Sequence, residues 1–306
     1  MTPRVIVLGD CNPDLVLRGG VRPEFGQVER LVSSAELMIG GSASITCCGL
    51  ARLGLDAGLV ARVGDDALGR LQLKRLADAG VRTGAIAIDP DRATGISVVL
   101  AEPDDRATLT ALGAIGALAA ADVEHADLAG ADHVHVSSLW LLRDLRPDLP
   151  RILGAVRRAG ATVSLDTNWD PAGEWTGLDD LLREVDVLLP NLEEARRLSG
   201  ADDAAGAAAA LAERVPTVAI KLGAEGAIAV SGGETVTARA PAVDVVDTTG
   251  AGDSFNAGLI AARLAGRPPA AALALAVACG TLSTRAAGGT AAQPRLAEAE
   301  AALAAP

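Results

Sequence analysis

From residue 114 onward, strand-like and helix-like segments alternate, and that alternation leaves few architectures open to the chain. "DHVHVSSLW" reads as a strand, "LPRILGAVRRAG" as a helix, "TVSLDTN" as a strand and "LDDLLREV" as a helix. "DVLLPN" (strand), "LEEARRLSG" (helix) and "TVAIKLG" (strand) continue the pattern. Such alternation predicts an α/β fold with a mostly parallel sheet covered by helices on both faces. Nearer the N-terminus, "RVIVLGD" supplies a first strand. "GGSASITCCGLARLG" (40–54) reads as a glycine turn entering a helix of small residues, and "AGLVARVGDDALG" as a strand followed by a turn. "RLQLKRLADAG" reads as an amphipathic helix stopped at Gly80. Two stretches break the alternation. Residues 15–39 look irregular, with Gly19-Gly20, Pro23 and Gly26 and no helical period; 93–113 reads as two strands joined by a polar turn at Pro103-Asp104-Asp105. Residues 13–39 and 93–111 are therefore predicted to form a small β appendage over a core built from 1–12, 40–92 and 112–306.

The 306 residues are 50% hydrophobic, enough for a substantial core. No apolar run reaches the ~18 residues of a membrane span, and the Ala-rich "AAALALAVACGTL" (270–282) reads as a buried helix. The N-terminus lacks a signal peptide's apolar region and cleavage site, so a cytoplasmic location is expected. A net charge of −12 argues against nucleic acid as a partner. Cys11, Cys47, Cys48 and Cys279 form no CxxC pair and read as buried free thiols. His133 and His135 share one face of a strand without metal-ligand spacing. Lys74 and Lys221 are the only lysines, so a lysine inside a motif carries weight.

The densest chemistry lies in "DTTGAGDSFNAG" (247–258), between the alternating, strand-like "PAVDVV" and the helix-like "LIAARLA". Gly250 and Gly252 let backbone approach a ligand closely. A helix starting near Asp253 turns its free N–H groups and positive dipole end toward that turn, which suits an anion such as phosphate. Asp253 then has two readings: a helix cap, or a general base that deprotonates a hydroxyl as it attacks a phosphoryl group. The chain has no G-x-x-x-x-G-K-[ST], and Phe255 stands where a dinucleotide fingerprint needs its third glycine.

"DTTGAGDSFNAG" closely resembles the C-terminal signature of the PfkB, or ribokinase-like, carbohydrate kinases, and "GGSASITCCGLARLG" resembles their N-terminal signature. "GDCNPD" (9–14), "RVGDDALG" (62–69), "PNLEEARRL" (190–198) and "KLGAEGA" (221–227) follow in the family's order, so the resemblance spans nearly the whole chain. It implies a Rossmann-like three-layer sandwich with a β lid, and an ATP- and Mg²⁺-dependent kinase whose acceptor is a small sugar or sugar-like alcohol. By resemblance, Asp253 is the base, and Gly250, Ala251 and Gly252 are the anion hole. Asp14, with Asn12 beside it, holds acceptor hydroxyls, and Gly40 and Gly41 lie under the sugar. Asn191 and Glu194 serve Mg²⁺ through water. Lys221, Gly223 and Gly226 line the ATP site, and Val277 falls near the adenine. Lys221 reads otherwise as a surface lysine, Val277 as plain core and Asp14 as a turn residue. Asp247 matches a position that some members use for a monovalent cation such as K⁺.

Three positions depart from the pattern. Ile45 stands where an Asn is usual, and Ile115 closes a Gly-Ala-Asn-like string. Asp170 stands where many sugar kinases carry an arginine in Asp-x-Asn-x-Arg. A site with fewer polar groups suits a less polar acceptor. A phosphosugar would call for cationic groups, and Arg18, Arg22, Arg30 and Arg106 are at hand in the lid. A nucleoside kinase of the same fold is the alternative reading, although aromatic residues make up only 2% of the chain; a sugar-sensing protein without catalysis is a third. Lids of this family often pair into homodimers, here through 93–111.

Overall fold

The computed structural model describes residues 2–102, 106–126, 128 and 130–304. Nine strands form one sheet: β1 (Arg4–Leu8), β4 (Asp56–Gly64), β5 (Arg82–Asp89), β8 (His133–Val136), β9 (Thr162–Leu165), β10 (Val187–Leu188), β11 (Thr217–Lys221), β12 (Ala227–Ser231) and β13 (Glu234–Ala238). Their order is β13-β12-β11-β10-β9-β8-β1-β4-β5, and every pair from β11 to β5 is parallel. Among the described residues only the β11–β12 and β12–β13 pairings of this sheet are antiparallel, at one edge. A second sheet is built from β2 (Asn12–Arg18), β3 (Ser34–Gly40), β6 (Ile96–Ala101) and β7 (Arg106–Ala111), ordered β3-β2-β6-β7.

The period-2 alternation of a strand divides the core into two layers. On β1, Val5 and Val7 join the apolar cluster containing the helices Ser42–Arg52, Ala251–Leu264 and Pro269–Ser283. Ile6 and Leu8 point the other way, into the cluster built on Leu149–Arg158 and Ala204–Ala212. Helices therefore cover both faces, as the β/α alternation requires. Pro269–Ser283 is the buried helix expected there, and among the described residues no helix is long and apolar enough to cross a membrane.

The strand-like reading of "PAVDVV" is corrected. Residues 241–246 form no strand, and Val245 and Val246 are both exposed. The segment has alternating valines but no partner strand, since β12 and β13 already pair with each other; the N–H groups of Val246 and Asp247 go instead to Thr284 O at 2.8 and 3.1 Å. Conversely, much of the irregular-looking 15–39 is strand: the glycines and Pro23 occupy the connection, while its two ends pair as β2 and β3. "LDDLLREV" holds one helical turn, Asp179–Leu182. The turn expected at 103–105 lies outside the described residues.

Both strand histidines are buried and explained locally. His133 contacts Thr162 Oγ1 (2.7 Å) and Ser164 Oγ (2.6 Å), and His135 contacts Ser164 Oγ (2.7 Å) and Ser137 Oγ (2.9 Å). Hydroxyls thus engage all four ring nitrogens. Burial pulls the two rings down to about 3 and about 4, so both are neutral. The four cysteines are free and buried.

Candidate active site

Parallel α/β sheets gather ligand-binding groups beyond the carboxyl ends of their strands, and one group of polar residues gathers there. Asp10 follows β1, Asp166 and Asn168 follow β9, Asn191 follows β10, and Lys221 ends β11. The helix Ala251–Leu264 enters the same region with Gly250 as its N-cap. Gly250 adopts φ +71°, and a Cβ there would stand 2.6 Å from Gly289 Cα and 2.9 Å from Ile45 Cγ2. The turn therefore requires glycine twice over, for its dihedral and for its neighbours. Ala251 N donates to Thr248 O at 3.3 Å. The N–H groups of Gly252 and Asp253 fall in the first turn, where no intrahelical acceptor exists.

Asp253 is 9% exposed and accepts a hydrogen bond from Ser42 Oγ. Asn168 Nδ2 donates to the same Ser42 oxygen at 3.2 Å, while Asn168 Oδ1 accepts from Ser138 N at 2.8 Å. Asn168 and Ser138 both sit at positive φ, 53° and 55°, strain of the kind that concentrates at functional sites. Burial pushes the Asp253 carboxyl up to about 7, against the lowering effect of Ser42; Asp166 adds to the rise and Lys221 opposes it.

Lys221 is no surface lysine. Its ammonium bonds Asp166 Oδ2 at 2.6 Å and lies 3.4 Å from Asn256 Oδ1, and Asn256 Nδ2 donates to Asp166 Oδ2 at 2.6 Å. A Cβ on Gly252 would stand 3.4 Å from Lys221 Nζ, so the ammonium lies against the turn. Burial alone would raise Asp166, but Lys221, with Asn256 and His135, outweighs it and holds the carboxyl below its usual range. Burial opposes the charge on Lys221 too, and Asp166 and Glu194 overcome it and raise the ammonium.

Asn191 and Glu194 form a reciprocal capping box at the start of the helix Leu192–Ser199: Asn191 Oδ1 accepts from Glu194 N, and Glu194 accepts from Asn191 N, each at 2.9 Å. Asn191 Nδ2 also donates to Glu194 Oε1 at 2.7 Å. Glu194 faces the interior, and burial, then the nearby Asp166, lifts it to about 7. Gly223 is exposed and Gly226 buried in the turn between β11 and β12. Val277 is buried in the apolar core.

The second sheet brings in the remaining candidates. Asp14 is buried on β2, accepts from Asn12 Nδ2 at 3.1 Å and is raised by burial to about 7, with Asp10 adding to the rise and Arg106 opposing it. Its carboxylate fills the space a Cβ on Gly40 would take, and Gly41 turns the chain at φ +83° into the helix Ser42–Arg52. Asp247 is half-buried, with Oδ1 accepting from Thr249 N (2.9 Å) and Oδ2 from Gly288 N (2.9 Å) and Arg18 Nη2 (2.7 Å).

The three departing positions have structural occupations. Ile45 packs against Gly250 and Gly289, and Ile115 is buried against Gly95. Asp170 accepts the N–H groups of Ala172, Glu174 and Trp175, each at 2.9 Å, and so ties up its own loop. Trp175 in that loop packs edge-to-face against Trp140 and Trp169. Sequence reasoning assigned no role to Asp10, Ser42, Asp166, Asn168 or Asn256. Asp10 binds the Ser42 and Ala43 N–H groups at 3.1 and 2.9 Å and so fixes the serine against Asp253. Asn256 lies inside the glycine-rich string and Asp10 inside "GDCNPD", so both were in view.

A glycine turn at a helix N-terminus, beyond the carboxyl ends of a parallel sheet, is the geometry of an anion-binding site. Residues 2–296 match the pfkB family of carbohydrate kinases. The chain is 34% identical to a fructokinase of Klebsiella pneumoniae over 96% of this chain and 97% of that protein. It is 33% identical to an ATP-dependent ribose-1-phosphate kinase of Halopiger xanaduensis, over 92% and 91%. Among solved structures, a putative ribokinase II from E. coli in complex with ATP and Mg²⁺ superposes with a TM-score of 0.85 at 28% identity, covering 99% of both chains. The chain belongs to the PfkB family: it is a sugar-kinase-type phosphotransferase with an alcohol group as acceptor, on a ribokinase-like fold.

Proposed function

We propose that the protein transfers the γ-phosphoryl group of ATP to a hydroxyl of a small sugar or sugar-like alcohol, with Asp253 as general base. The observation that carries this reading is the setting of Asp253, buried in the first helical turn after Gly250 with its carboxyl at about 7. A carboxyl that titrates near the working pH is as strong a base as it can be while still substantially ionised there. Asp253 takes the proton of the acceptor hydroxyl as that oxygen forms its bond to the γ-phosphorus. The bond to the bridging oxygen breaks, ADP leaves, and the N–H groups at the turn hold the charge on the transferred group. Lys221, held charged against Gly252, adds a cation beside it. Asp14 and Asn12 receive the other acceptor hydroxyls, and the second sheet serves as the lid.

The residues present fit Mg²⁺ bound through water. Each Glu194 oxygen accepts a hydrogen bond within the capping box and keeps a further lone pair for a metal-bound water, the outer arrangement Mg²⁺ favours. Bound there, Mg²⁺ would supply charge neutralisation on the phosphates, and Glu194 and Asn191 would hold it through water.

The acceptor read here is not itself phosphorylated. Arg18, Arg22, Arg30 and Arg106 line one cavity of about 1400 Å³ between the second sheet and residues 245–249. Arg18 is paired with Asp247, Arg22 with Glu102 and Arg30 with Glu24, so most of their charge is already matched. The test is a panel of free sugars, polyols, sugar phosphates and nucleosides with ATP and Mg²⁺, read by ADP release. Turnover with free sugars or polyols is expected; turnover confined to nucleosides or to sugar phosphates would refute the acceptor assignment.

A further inference from the structure

Asp247 stands three residues before Gly250, at the position where the family resemblance implies a monovalent cation. The residues around it do not fit one. Its carboxylate already accepts three hydrogen bonds: Oδ1 from Thr249 N, and Oδ2 from Gly288 N and from Arg18 Nη2. The ion pair with Arg18 spans 2.7 Å, and its side chains are only 10% (Asp247) and 27% (Arg18) exposed. Oδ1 keeps one lone pair, but a metal ion taking it would sit beside a guanidinium that never loses its charge.

Arg18 reaches Asp247 from the second sheet. It closes β2, the strand that carries Asn12 and Asp14, and strand periodicity puts the side chains of 12, 14, 16 and 18 on one face. From the same sheet, Arg106 at the start of β7 donates to Thr248 Oγ1 at 2.9 Å. Two consecutive residues leading into the glycine turn are thus gripped by arginines of the sheet that carries Asp14.

We infer that the Arg18 guanidinium is a built-in cation at Asp247, and that this kinase works without a monovalent metal ion. A dissolved ion at this point would hold the turn only as its concentration allowed. A side chain on β2 holds it always, and ties the turn's position to the strand that receives the acceptor. Arg18 is then a positioning residue, acting through Asp247 on the turn. The inference rests on the kinase reading above.

The experiment has two arms, the first independent of turnover. Thermal unfolding of the whole protein is compared in potassium chloride and in tetramethylammonium chloride at equal ionic strength. A bound ion would raise the midpoint with its concentration; the same midpoint in both salts is expected, and a rise specific to K⁺ would overturn the inference. In the second arm, ADP release with the best acceptor from the panel is measured in both salts. The natural protein should agree between them within about twofold, and Arg18→Gln should lose about tenfold or more in tetramethylammonium. Activation of the natural protein by K⁺ of about tenfold, or an Arg18→Gln variant as fast as the natural protein without K⁺, would each contradict it. Absence of ADP release with every acceptor would count against the kinase reading, and the unfolding arm would still decide the cation question.

Discussion

Two buried aspartates, Asp166 beyond β9 and Asp253 in the first turn of the helix 251–264, lie close enough to influence each other and are held in opposite states. Asp166 has a lysine at 2.6 Å and an amide at 2.6 Å, and stays ionised. Asp253 accepts a hydrogen bond from the Ser42 hydroxyl, and burial lifts it to about 7. Burial penalises both charges, so the difference is one of partners. A carboxylate with its own cation is committed to structure. One left with a hydroxyl keeps the capacity to take a proton, and perturbed groups of that sort mark reacting positions.

The comparison can be broken from either side. Asp253→Asn leaves an oxygen to accept from Ser42 and removes the proton acceptor; acceptor-dependent turnover should fall by about 10²- to 10⁴-fold, with ATP affinity by calorimetry nearly unchanged. Lys221→Met strands the Asp166 charge in the interior and should cost about 3–5 kcal/mol in denaturant unfolding; an unchanged midpoint would mean that Asp166 needs no cation.

Asp253→Asn should also stabilise the ligand-free protein at pH 8, by about 1–2 kcal/mol. The sign follows from the raised carboxyl. Its folded value, about 7, exceeds the ordinary 3.8, so its contribution to stability is full below the ordinary value and is lost as pH rises through 7. An asparagine suffers no such loss, and the gain should vanish near pH 4, as paired melting curves would show. The smallest effect is expected from Ser42→Ala. Loss of the hydroxyl removes a lowering influence, so the midpoint of the pH–rate profile should move up, with turnover at neutral pH reduced by about tenfold or less.

The layered core was legible because β/α alternation and strand periodicity are local. The glycine turn was legible for the same reason: Gly250 needs positive φ and the helix begins at once. Pairing was not. "PAVDVV" has a strand's alternation but no partner, and only the structure shows its N–H groups going to Thr284. The ends of 15–39 carry a strand each, hidden by the glycines between them. Lys221 meets Asp166 across 55 positions, a separation no spacing rule spans. Asp170 illustrates a subtler limit: the sequence shows an arginine missing, whereas the structure shows a carboxylate employed in holding its own loop.

The most direct test of the central claim is kcat/KM against pH, which reports the groups of the free enzyme, for the natural protein and Asp253→Asn side by side. The account predicts that kcat/KM of the natural protein increases as pH rises through about 7 and that the variant, far slower, lacks this rise. A variant that keeps both the rise and the rate would show that Asp253 is not the base.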